Sequence, residues 1–97
     1  MMKREHLDVL AENIRLHGDK AVFHRCVITV EEMAELTKEI TKHLFDRGDM
    51  DHLTEEIADV YVVLQGLKMV FGIKEEDIDR IVDAKIRRQA ERDKRLK

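Results

Sequence analysis

The chain has no proline and only four glycines in its 97 residues, so very little in it forces the backbone out of a helix. It has a single cysteine, Cys26, which excludes an intramolecular disulfide and fits a reducing cytosol. Cys26 reads best as a small buried hydrophobe. No long apolar run is present. The nearest approach, Ile57 to Ile73, carries Asp59, Gln65 and Lys68 and falls short of the roughly 20 residues that span a bilayer. Met1 to Arg15 is charged throughout and lacks the apolar core of a secretory signal. The five histidines, His6, His17, His24, His43 and His52, form no group at zinc-ligand spacing. These absences predict a soluble, cytoplasmic protein with no membrane segment.

What remains is rich in Glu, Lys, Leu, Ile and Ala, with 43% apolar and 40% charged residues. That composition predicts an all-α fold and one domain over residues 1–97. The net charge of −3 is unevenly spread. Lys85 to Lys97 holds seven basic and two acidic residues, a net of +5, which leaves −8 on the first 84. An acidic body with one basic C-terminal helix does not match a nucleic-acid binder, which shows a wide basic face. It suits a cation-binding site that receives phosphates from a basic helix.

The pattern predicts four helices. The first spans Lys3 to His17, with Leu7, Leu10 and Ile14 on one stripe, and stops at Gly18. The second ends near Gly48, and its start has two readings. Thr29-Val30-Glu31-Glu32 has the form of a capping box, whereas Lys20 to Ile28 is apolar enough to continue a helix. The third follows Asp51 as N-cap and runs to Phe71, with Gly72 just beyond its end. The fourth runs from about Glu75 to Arg95, with Ile78, Ile81, Val82 and Ile86 on one side. Short connections predict antiparallel neighbours in a four-helix bundle.

One motif is doubled. Glu31-Glu32-Met33-Ala34-Glu35 returns as Glu55-Glu56-Ile57-Ala58-Asp59. Each copy places two acids at i and i+3, neighbours on one helix face. On a wheel with Glu32 at zero, Glu35 falls near −60° and Glu39 near −20°, beside the apolar stripe; Asp59 bears the same relation to Glu56. Packing two such helices through their stripes brings Glu32, Glu35, Glu56 and Asp59 toward one edge of the core. Four like charges there repel one another and call for cations. Asp59 is the most telling of them, since Val60-Tyr61-Val62-Val63-Leu64 follows it and is apolar around most of the helix. No histidine stands three residues after a ligand-like acid, as it does in di-iron bundles. All-oxygen ligation points to Mg2+ or Mn2+.

Glu32-x-x-Glu35, twenty intervening residues and Glu56-x-x-Asp59 resemble the hallmark of the MazG-like, all-α nucleoside triphosphate pyrophosphohydrolases. The resemblance covers about residues 18–92. It continues into the fourth helix, where Asp83, Lys85 and Arg88 match the family's spacing of an Asn or Asp, a lysine and an arginine. The chain departs from many larger members in lacking their tryptophan and is short for the family. The resemblance implies hydrolysis of a nucleoside triphosphate between the α- and β-phosphates, giving monophosphate and pyrophosphate. Glu32, Glu35, Glu56 and Asp59 would hold the metal, Glu35 would also orient water, and Lys85 and Arg88 would grip phosphates. It further implies a homodimer or homotetramer. The third helix favours that too, being too apolar for one short bundle to cover.

Three secondary expectations complete the reading. His24 is a surface or interface histidine sooner than the border of a base pocket. Tyr61 and Phe71 are core or subunit-contact residues, and Lys38 and Lys42 face away from the acids. The alternative function is a non-catalytic helical module for oligomerisation or regulation that binds nucleotide or metal without turnover.

Overall fold

The computed structural model describes residues 2–96. The chain is all-helical: α1 (Arg4–His17), a 3₁₀ turn (Gly18–Lys20), α2 (Ala21–Leu44), α3 (Met50–Phe71) and α4 (Glu75–Lys94). Among the described residues none forms a strand, and no helix is long and apolar enough to cross a membrane.

Local chemistry sets the ends of these helices. The backbone N–H of Lys3 donates to His6 Nδ1 at 3.2 Å, which satisfies one free donor at the start of α1. Gly18 ends that helix with φ 55°, a conformation that favours glycine. The capping-box reading of Thr29 is overturned. Helix α2 begins eight residues earlier, and Thr29 lies buried inside it, its hydroxyl donating to the Arg25 carbonyl at 2.6 Å. Burial of Ala21 against the other helices outweighs the local capping signal, and Glu32 is released from the cap. Helix α2 also stops at Leu44, short of Gly48. The turn bends at Asp46, at φ 58°, and the His43 ring occupies the place that a Cβ on Gly48 would need. Asp49, and not Asp51, caps α3: its Oδ1 accepts from the N–H groups of Asp51 (2.8 Å) and His52 (3.2 Å). At the far end Gly72 is left-handed, and the N–H groups of Gly72 and Ile73 return to the Met69 and Lys68 carbonyls.

The packed unit is α1–α3. Helices α2 and α3 form the principal pair, and α1 lies against both. They run antiparallel, since Arg25 meets Gly66, Thr29 approaches Val63 and Glu32 meets Glu56 and Asp59. Among the described residues α4 packs on none of the other helices; only an ion pair between Lys68 and Glu75 ties it to α3. The expected four-helix bundle is therefore not closed within one chain.

That leaves much apolar surface uncovered. Among the described residues only Leu10, Ala21 and Val63 are buried apolar residues, and Cys26 is half-buried. Tyr61 is 66% exposed, Phe71 53% and Ile86 63%. The accessible surface is 7972 Å², about 2,000 Å² above the ~5,800 Å² of a compact monomer of this mass. The radius of gyration, 16.6 Å, likewise exceeds the ~12.5 Å of a compact domain of this length.

Candidate metal centre

Antiparallel packing brings one acid of the first motif copy against both acids of the second. Glu56 and Asp59 project from one face of α3, and Glu32 meets them across the α2–α3 seam. One carboxylate oxygen from each of the three lies within 4.8 Å of the others, and all three side chains are half-buried. Among the described residues, no lysine or arginine forms an ion pair with any of them. Glu56 Oε2 is buried and has no hydrogen-bond partner.

Electrostatics follow from that geometry. Desolvation pushes the Glu56 carboxyl above its usual range, and the charges of Asp59, Glu32, Glu35 and Glu55 push it further. Glu32 is raised for the same reasons, desolvation first and Asp59 next; a hydrogen bond to Asp59 also favours its protonated form. The cluster thus holds its protons more tightly than separate carboxylates would. A cation would relieve the same repulsion.

The other expected site residues lie elsewhere. Glu35 is exposed and stands outside the trio, although its charge bears on both Glu32 and Glu56. Its position about 60° around α2 from Glu32 turns it toward solvent. Lys85 and Arg88 are exposed on α4, away from the trio, and Asp83 pairs with Arg87 at 2.8 Å. His24 is half-buried and stacked on His17, with ring centroids 3.7 Å apart and planes 12° from parallel. One acid went unassigned in the sequence reading. Glu39, two turns after Glu32, is buried, with Lys42 3.6 Å away. Its wheel position beside Glu32 was the available signal.

Comparison with protein-family models, with curated proteins and with solved structures finds no match for this chain. The donors themselves indicate what the cluster can take. Three carboxylates, one of them with an unpartnered buried oxygen, make a hard, anionic, all-oxygen set that could hold a metal cation.

Proposed function

We propose that the chain is a metal-dependent nucleoside triphosphate pyrophosphohydrolase of the MazG-like type, acting in the cytoplasm as a homo-oligomer. The observation that carries this is the convergence of Glu32, Glu56 and Asp59 around an unpartnered carboxylate oxygen. Water attacks phosphorus, the bond between the α- and β-phosphates breaks, and monophosphate and pyrophosphate leave. A bound Mg2+ or Mn2+ would supply Lewis acidity, neutralising the charge that builds on the phosphate oxygens. Glu32, Glu56 and Asp59 hold the cation. Glu35, free and adjacent, orients water or joins the set when substrate binds.

Helix α4 fits this scheme through a second copy. It stands off its own α1–α3 with Ile81, Val82 and Ile86 exposed. Its basic residues complement the acidic body. Docked on a partner's α2–α3 face, it covers apolar surface and brings Lys85 and Arg88 toward a carboxylate trio, where they grip phosphates. The uncovered area per chain is on the scale of an obligate interface. A homodimer is the smallest assembly that does this, and a homotetramer extends it.

The test is pyrophosphate release from a panel of canonical, deoxy and modified nucleoside triphosphates with Mg2+ or Mn2+ and with chelator. Metal-dependent release from a sedimenting dimer or tetramer is expected. Silence from a folded oligomer would leave the alternative, a non-catalytic module that binds nucleotide or metal.

A further inference from the structure

A second polar cluster lies about two turns from the first, where α1 turns into α2. His17 closes α1, its Nδ1 2.9 Å from the Asn13 carbonyl oxygen. The His24 ring, one turn into α2, lies flat against it. Next along the chain, Arg25 is only 4% exposed and donates from Nη2 to Asn13 Oδ1 at 2.6 Å. The guanidinium rests on Gly66 of α3, where any Cβ would collide with it. Asn13 therefore touches both His17 and Arg25, and the joint between α1 and the α2–α3 pair is built around them.

We propose that the stacked His17–His24 pair is a proton-sensitive latch, which holds α1 on α2 and α3 while both rings are neutral and loosens it when either takes a proton. The geometry gives the reason. A proton on either ring places a cation against a neighbouring imidazole and near the enclosed Arg25. His24 Nδ1 is buried without a hydrogen-bond partner, so no acceptor rewards its protonation. Charged groups bear on His24 from both packed helices: His17 from α1, and Arg25 and Glu31 from α2. Glu31 favours the proton and the other two oppose it. α3 meets the cluster with Gly66 and the Val63 carbonyl.

Desolvation first, then His17 and Arg25, lower the affinity of His24 for a proton in the docked state. An imidazole released to solvent regains its ordinary value near pH 6.5. Docking is thus fully supported above that pH and weakens as pH falls below it, because the undocked state then takes up the proton. Each unit of difference between the two states changes the docking equilibrium by about tenfold.

Amide hydrogen exchange on the full chain between pH 7.5 and 5.5, corrected for intrinsic rates, tests this alongside NMR titration of the two imidazoles. The expected result is that α1 amides lose more protection than the α2–α3 amides, by up to about tenfold, with His24 titrating below its ordinary value. The effect must follow the rings: His24→Gln should leave α1 looser at pH 7.5 and its protection independent of pH, and His17→Gln should leave α1 looser with a weaker pH dependence. Equal loss of protection in all helices would overturn the latch. So would a pH dependence of α1 that survives in both variants. If neither variant folds, a wild-type His24 ring titrating at the free value suffices to reject it.

Discussion

Arg25 and Glu32 stand seven residues apart on α2, about 10 Å along its axis, and both face α3. Their surroundings could hardly differ more. The guanidinium is enclosed, hydrogen-bonded to Asn13 and seated on a glycine that leaves it room. Burial lowers its pKa, yet its neighbours are a neutral amide and backbone, arranged around one cation. At Glu32 three like charges gather, half-buried, with no cationic side chain paired to them. The first arrangement has an acceptor from within the chain at Nη2, although Arg25 Nε is buried without a partner. The second is a set of donors short of a positive charge, and it lies where solvent can deliver one. Charge placed on a helix seam is structural when the chain supplies its partners and a candidate for ligand binding when it does not.

The largest effect belongs to the incomplete cluster. Under the proposed reaction, Glu56→Gln should lower metal-dependent turnover at least about a hundredfold, the scale for losing one electrostatic contact at a reacting centre. Helicity and oligomer size should stay unchanged. Glu35→Gln should cost less, about tenfold, since Glu35 acts from outside the trio. Steady-state rates with Mg2+ or Mn2+ decide. Equal losses in the two variants would mean that Glu35 moves into the ligand set when substrate binds.

The Arg25 cluster predicts effects on stability instead. Asn13→Ala leaves Arg25 enclosed without its hydrogen-bond acceptor and should cost about 1–3 kcal/mol in urea denaturation. Gly66→Ala gains helix propensity, but its Cβ would come within 2.8 Å of Arg25 Cζ. Overpacking at an enclosed site costs about 1–3 kcal/mol, so a net loss is expected. Arg25→Met in the Gly66→Ala background, with a flexible apolar chain that can shift, should recover part of it. A neutral Gly66→Ala would mean that the guanidinium can leave its seat freely.

The sequence carried the carboxylate cluster far better than the Arg25 cluster. Glu32, Glu56 and Asp59 were legible because a doubled i, i+3 acid pattern beside an apolar stripe has few other uses. Glu35 was harder to place, since 60° of helix rotation separates a seam residue from a solvent one and no pattern measures that. The buried Arg25 was missed altogether. Nothing local marks it; its seat is Gly66, forty-one residues away, and that pairing exists only once α2 and α3 have chosen their register. Helix boundaries followed the same rule. Gly72 ends α3 by a backbone conformation that glycine favours, whereas Thr29 carried a sound capping signal that burial overrode. The exposed stripe of α4 was predicted as helix from its spacing, but spacing says nothing of which surface receives it.

The smallest effect sharpens the contrast most directly, because it needs no substrate. Glu32 and Glu56 bind protons more tightly in the folded chain than at their ordinary value of 4.5. Above the raised value both are charged, and their repulsion opposes folding; as pH falls through it the folded state takes up protons and gains stability. At pH 7.5 without metal, Glu56→Gln should therefore raise Tm by a few degrees at most. Adding Mg2+ or Mn2+ should raise the Tm of the unmodified chain and leave that of Glu56→Gln nearly unmoved. The metal effect should fade as pH drops toward 4.5, where protons replace the cation. A thermal melt with and without chelator reads all three. If Glu56→Gln instead lowers Tm without metal, the trio is held together by shared protons, and the distinction between the two clusters on the seam collapses.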